Sequence, residues 1–451
     1  MRLLHTTLRF GAVLVAVLLG LPAVLVGDTN DLTNMDAALK IIFDDALVNN
    51  VVTDTEVLDE FQDGEVMEDP TTGGRYIETA QMFALPTGFR AVAEGDYIPV
   101  PKGPTVENSR ISLKKAAGTV EETADVLRRV RSNEGAFVDW AERTLPNLVA
   151  TAKNQVDRMA LGYGQGILAR VDAVTPATDL VVDSAYGVTG LEDALLQFQA
   201  NTQLRASPNA DGSTPHSTAY TVEDVDIAGG HLVVDVVTDL ADNDYLFLGD
   251  SAGVSAELDP MGLLGMVDDG GILATFQNIA RSSYSAWRGH VIDASSVFTS
   301  PSKMTEQLLI YADTVVDVRG GGKPDLLVTS RQALNQYFAS MQGDRTINDP
   351  RGDYTGGKGD LYIRLGDRIL KVKTARKMPR TMAFLLQRDT FKKFVLNKWE
   401  WDDTTGSIWK QVVDNNGRKD AFYAYGTMQF EMACSDPQKS CRIENITDEA
   451  F

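Results

Sequence analysis

The stretch from Gly135 to about Arg170, GAFVDWAERTLPNLVATAKNQVDRMALGYGQGILAR, constrains the fold of this chain more than any other feature. Its apolar residues Phe137, Trp140, Ala141, Leu145, Leu148, Ala152, Val156, Met159, Tyr163 and Ile167 recur every three or four positions, the period of one buried helical face. A helix of about 35 residues is about 50 Å long at about 1.5 Å per residue, well beyond the usual three to four turns. Such a rod needs an equally long surface to lie on, and the flanking sequence points to an extended sheet. Pro146 removes one backbone donor and clashes with the preceding turn, so a bend is expected near the first third.

The 451 residues suffice for two or three domains with real cores, and 43% hydrophobic and 8% aromatic content is that of a folded protein. A formal net charge of −21 argues against a protein that wraps nucleic acid with its whole surface, because phosphate binding is driven by Lys and Arg. Cys434 and Cys441 are the two cysteines, which excludes a disulfide framework and multiple-cysteine metal sites; reduced thiols are the simpler reading.

Arg2, His5 and Arg9 precede the apolar run Phe10 to Val26, a pattern like the charged and greasy parts of a secretory signal. The 17-residue run is at the lower limit for a membrane span, and Gly11, Gly20 and Pro22 weaken it as an anchor. With no clean small-x-small cleavage site, three readings stay open: a signal peptide, a disposable leader, or translated sequence upstream of a true start at Met35.

From Asp28 to Asp69 there are 13 acidic residues against Lys40, a balance of −12, with one short helix expected around Ala37 to Leu47 and an extended arm elsewhere. Gly73 to Lys115 alternates β-prone pieces (Tyr76 to Thr79, Tyr97 to Val100, Arg110 to Leu113) with Gly and Pro, which predicts a long hairpin whose tip is not helical. A loop of this length is uncommon unless it has a task; the plainer alternative is a flap covering its own domain. Val171 to Asp183 and Tyr220 to Leu248 predict a small β-rich module, with Ser207 to Ser217 as an exposed connection. Thr221 to Thr275 carries 12 acidic residues and no Lys or Arg. From Met304 a helix, a Gly-Gly-Gly turn, the strand Asp325 to Ser330 and a second helix predict α/β packing. Leu361 to Glu400 reverses the charge, with 11 basic against 3 acidic residues. The chain closes on two strands, Ala421 to Tyr425 and Met428 to Met432, and there is no internal repeat.

Gly249-Asp250-Ser251-Ala252-Gly253 matches the G-x-S-x-G nucleophile elbow, which needs a strained turn from strand to helix followed by an acid and then a histidine. Asp259-Pro260 and Gly262 argue against that helix, His290 is the only later histidine, and Gly229-Gly230-His231 inverts the order of an oxyanion loop; a turn closing the β module is the better reading. Gly320-Gly321-Gly322-Lys323 is followed by Pro324 where a phosphate loop needs Ser or Thr. Asp239, Asp242 and Asp244 lack the Gly and distal Glu of a calcium loop, and His5, His216, His231 and His290 have no metal spacing. Arg351-Gly352-Asp353 and Asn445-Ile446-Thr447 are short enough to arise by chance. No catalytic, cofactor-binding or metal-ligating set is expected, and the chain reads as a non-enzyme.

Several segments together resemble the major capsid protein of tailed bacteriophages, with the fold named after phage Hong Kong 97. The order carries the likeness: amino-terminal arm, long hairpin (the E-loop), long spine helix, central domain, returning strands. So do three phrases, Gly262-Leu263-Leu264-Gly265-Met266-Val267-Asp268-Asp269-Gly270, Ala280-Arg281-Ser282-Ser283-Tyr284-Ser285-Ala286-Trp287-Arg288, and Gly321 to Ser330, which read like the axial domain of such proteins. The resemblance implies an α+β fold divided as 1–27, hydrophobic leader or mis-assigned start; 28–72, arm; 73–118, E-loop; 119–170, peripheral domain with spine helix; 171–259, β-rich insertion; 260–375, axial domain; and 376–451, returning peripheral strands.

It also implies self-assembly into hexamers and pentamers of an icosahedral head, formed in the bacterial host cytoplasm and found in the virion. Its expected partners are other copies, a portal, a scaffold or maturation protease, and decoration proteins. DNA is enclosed without sequence-specific binding, and no cofactor or membrane is involved. The acidic arm and the basic stretch suggest a cross-subunit partnership, in which the arm lies on a neighbour's Lys371, Lys373, Arg376 and Lys377; the alternative is that both are independently solvated. Lys102, Lys114 and Lys115 of the hairpin are candidate neighbour contacts. Competing readings are an encapsulin-like nanocompartment, a secreted serine hydrolase using Ser251, and a cell-surface β-rich binding protein.

Overall fold

The computed structural model describes residues 56–64, 76–124, 148, 150–174, 179–250, 253–297, 302–341, 361–366, 368–403, 409–414 and 417–447. Outside them lie the leader, most of the arm, the amino-terminal part of the expected long helix with Pro146, Ser251, and Arg351-Gly352-Asp353. The described chain is α+β and separates into two compact units, a smaller one whose described residues are 119–124, 401–403, 409–414 and 417–426, and a larger one holding the other described residues.

The first described strands are β1 (Gln62–Asp63), β2 (Ile77–Ala84), β3 (Thr105–Ile111) and β4 (Lys114–Thr123). Helix α1 then runs through 150–161 and stops nine residues short of the expected Arg170. The reason is local. Gly164 and Gly166 take φ of 85° and 79°, the left-handed region that a helix cannot continue through, and the backbone leaves directly into strand β5 (Ile167–Val174). Buried Tyr163 and Ile167, read as helical by spacing, therefore belong to a turn and a strand.

β5 opens a module with β6 (Asp179–Asp183), β7 (Gln203–Ser207), β8 (Ala219–Asp226), β9 (His231–Val234), β10 (Tyr245–Asp250) and β11 (Gly253–Val254). All its pairings are antiparallel, and β10 pairs with β5 on one side and β7 on the other. That double pairing closes β5, β6, β9, β8, β7 and β10 into a ring, which removes open edges. Leu168, Leu204, Val222, Leu232, Val234 and Leu246 are fully buried in it. The module thus begins at Ile167 rather than Val171.

Next come the short helix α2 (Leu263–Met266), the hairpin β12 (Thr275–Phe276) and β13 (Ile279–Ala280), β14 (His290–Asp293), α3 (Ala294–Val297), α4 (Glu306–Gly320), β15 (Leu326–Thr329) and α5 (Arg331–Met341). They continue into β16 (Leu361–Leu365), β17 (Arg368–Thr374), β18 (Ala383–Leu386), β19 (Phe391–Trp401), β20 (Lys410–Asp414), β21 (Gly417–Cys434) and β22 (Cys441–Glu444). A six-stranded mixed sheet, in the order β14-β22-β18-β15-β17-β16, carries α4 and α5. Thr305 caps α4 by accepting a hydrogen bond from the Leu308 amide, and Gly321 ends it at φ 61°. Leu308, Leu309, Ala312 and Val316 of α4 pack on Leu327, Leu385 and Ile443.

The two carboxy-terminal strands expected at Ala421 to Tyr425 and Met428 to Met432 are one strand of 18 residues, β21, because Gly426-Thr427 continues the alternation instead of turning. In the smaller unit, β20 pairs with its first part, Lys410 opposite Tyr423. In the larger unit, β1 runs parallel to β19 with Gln62 opposite Lys392.

Candidate functional site

Two appendages of the larger unit carry the features that suit contact with other molecules. The first is the hairpin. β2 and β3 pair from Ile77 opposite Ile111 to Ala84 opposite Thr105, and beyond Thr105 the ladder is reduced to one bridge, Thr87 to Lys102. Pro86, Pro99, Pro101 and Pro104 lack the amides needed to extend it, so no strand forms over the β-prone piece Tyr97 to Val100.

Its root is held firmly. Phe83 stacks on Tyr284 with ring centroids 4.1 Å apart and meets Trp287 edge-on at 5.5 Å. The Tyr284 hydroxyl donates to Glu107 at 2.9 Å, and the Arg110 amide donates to the Gln277 carbonyl at 3.0 Å. Ile111, Phe394 and Ala433 make a small cluster beneath it, joined by Ile77 and Leu113.

Its tip is bare. Leu85 is 75% exposed, Phe89 102%, Tyr97 87%, Ile98 86% and Val100 87%. Each such side chain gains about 1.5–3 kcal/mol when fully buried. With Val92 there are six such side chains on one excursion, whereas single exposed apolar residues need no explanation. Of the candidate lysines, Lys114 donates instead to the Glu257 carbonyl of its own chain at 2.8 Å.

The second appendage is the end of the acidic arm, Glu56–Gly64. The expected partnership with the basic stretch is present, but within one chain. The Glu60 carboxylate takes Lys371 and Lys373 at 2.9 Å each and Arg388 at 3.2 Å. The Arg376 amide donates to Glu56 at 2.6 Å, and Lys393 lies 3.4 Å from Asp63. Lys377 is unavailable to any arm. Its ammonium donates to the Leu196 carbonyl, its own carbonyl accepts from Tyr186 and Gln197, and burial, with Arg376 and Arg158 nearby, pushes the amine down to about 8. For these residues the assignment to a neighbour is corrected: adjacency in space supplies the cations that a distant copy was expected to provide.

The chemistry-bearing motifs fall into turns. β10 and β11 form a hairpin, with Gly249 opposite Val254 and Asp250 opposite Gly253, so the pentapeptide joins strand to strand and lacks the helix of a nucleophile elbow. Ser251 itself lies outside the described residues. His290 is on β14 in the six-stranded sheet, where burial and then Arg319 lower its basicity. Gly229 and Gly230 turn β8 into β9, and Gly320 to Gly322 end α4 before β15. Asp244 accepts from the Ala241 amide and faces His216 at 2.8 Å, while Asp239 accepts from Thr218. Among the described residues no three His, Cys, Asp or Glu side chains are placed to hold a metal ion. Both cysteines are free and buried.

The axial-like phrases build the interior. Asp268, fully buried, accepts from the Gly270, Ile272 and Leu273 amides on one oxygen and faces Arg442 at 3.4 Å on the other. Arg158 of α1 and Asp259 form a buried ion pair at 2.8 Å. Neither pairing has a local sequence signal, since the partners lie far apart in the chain.

No protein-family model matches the sequence, and no curated protein matches it. Among solved structures, the chain is similar to the capsid asymmetric unit of cyanophage A-1(L), at 10% identity over 89% of this chain and 95% of that one, with a TM-score of 0.48. It is also similar to a structure from Mycobacterium phage Ogopogo, at 11% identity over 86% and 92% with a TM-score of 0.42. A third is the capsid of Myoviridae phage XM1, at 7% identity over 87% and 92% with a TM-score of 0.41.

Proposed function

We propose that this chain is a shell-forming major capsid protein of the Hong Kong 97 type, whose copies close into hexamers and pentamers around phage DNA. The observation that carries the reading is the hairpin: a ladder locked by Phe83, Tyr284 and Trp287 that holds out a tip with six exposed apolar side chains. A flap serving its own domain buries its apolar face at home. A bare tip carried on a ladder already fixed to the body offers a second copy its apolar side chains, because the entropy of fixing the paired strands is lost before contact. Closed symmetric assembly then multiplies a modest contact many times.

The ring-closed β module is read as an insertion on this body, and portal, scaffold, protease and decoration partners follow from the same reading. Negative-stain microscopy and sedimentation of the expressed chain test it. Closed particles of uniform size are expected. A compact monomer at high concentration overturns the proposal.

A further inference from the structure

The nine residues Glu56–Gly64 are joined to the body by contacts of two kinds. Some are generic. Val57, Leu58 and Phe61 are buried, Phe61 stacks on Phe391 at 5.4 Å, and two residues of β1 run beside β19. The Gly64 amide donates to the Lys393 carbonyl at 2.7 Å, with the Phe394 ring so close that an added Cβ would stand 2.4 Å from it.

A two-residue ladder specifies register weakly, and a slip by one residue reverses every side chain. The Glu60 contact is of another kind. Its side chain is 7% exposed, one oxygen takes both Lys371 and Lys373, and the other takes Arg388. The lysines stand two apart on β17, hence on one face, and Arg388 arrives from the turn before β19, held by Asp325 at 2.6 Å. Three cations converging on one point repel unless an anion sits among them, and a largely buried carboxylate is costly without cations. Each side therefore stabilises the other, and the observed register brings them together.

We propose that Glu60 is the positioning residue that fixes the base of the amino-terminal stretch on its own subunit.

Hydrogen exchange of the full chain, before assembly and at neutral pH, tests the assignment through the Phe61 and Gly64 amides, which donate to Leu58 and Lys393. Glu60→Gln is expected to speed their exchange by about tenfold or more, as local opening becomes easier. Lys371→Glu with Lys373→Glu is expected to do the same, and adding Glu60→Lys to that pair is expected to restore protection. Unchanged exchange in Glu60→Gln overturns the proposal, as does protection restored only when the reversed charges are supplied on a second chain. Particle formation is scored separately by microscopy. Loss of protection in Glu60→Gln, with no particles from the unsubstituted chain, ends the shell reading and keeps the pin. Particles from the unsubstituted chain, with full protection in Glu60→Gln, do the reverse.

Discussion

The hairpin and the base of the amino-terminal stretch are both too thin to hold a core, yet they end in opposite states. Glu56–Gly64 turns Val57, Leu58 and Phe61 inward and seats Glu60 among three cations of its own chain. The hairpin is anchored only at its root and leaves Phe89, Tyr97 and Ile98 in solvent. A two-stranded ribbon has one face too many for its own body to cover, whereas a short segment laid on a sheet has none to spare. The difference teaches that extension from the body is not itself the mark of a surface kept for another copy. What separates the hairpin from the arm base is apolar area left bare after the ladder has been fixed.

The comparison breaks most visibly at the hairpin tip. Phe89→Ser combined with Ile98→Ser is expected to abolish closed particles in the microscope while leaving the unfolding free energy of the unassembled chain within about 0.5 kcal/mol of wild type, as for other surface changes. A loss of unfolding free energy well beyond that would mean that the tip folds back on its own body.

Phe61→Ala probes the other appendage. It removes the ring stacked on Phe391 and is expected to cost about 3–5 kcal/mol of local stability, read as exchange of the Gly64 amide, with the hairpin amides unaffected.

The pH dependence of the same segment is a smaller effect and sharpens the contrast. Burial alone would raise the Glu60 carboxyl, but hydrogen bonds and charge from Lys371 and Lys373 outweigh it and hold the group below the ordinary 4.5. A depressed folded value contributes stability that is present above 4.5 and lost as pH falls through the folded value. Asp325 also contacts Arg388 and Asp63 lies beside Lys393, so Glu60→Gln is the control that isolates Glu60. Acid is expected to loosen Glu56–Gly64 in wild type more than in Glu60→Gln, and to leave the apolar tip of the hairpin unchanged, as limited proteolysis would report.

Much of this was legible in the sequence. Glycine and proline marked the hairpin tip, and the Gly-Gly-Gly turn separated α4 from β15 where the spacing placed it. Opposite charge on the arm and on Leu361 to Glu400 announced a partnership. Charge patterns name complementary surfaces without saying which copy owns each, and so the neighbour was assigned where Glu60 meets Lys371 and Lys373 of its own chain. The helical period continued to Ile167 because a half-buried turn and strand can keep the same apolar spacing for one cycle.

By itself, then, the sequence determined what depends on neighbours in the chain: the turns, the β content of Val171 to Asp183 and Tyr220 to Leu248, and a hairpin tip rich in glycine and proline that is not helical. The tertiary structure alone decided what depends on residues far apart: the closure of β10 onto both β5 and β7, the burial of Arg158 against Asp259, the Phe83–Tyr284 stack, and the seat of Glu60. The physical reason is that periodicity and propensity are written over a few residues. The partner of a strand, a ring or a charge is selected by the free energy of packing the whole chain.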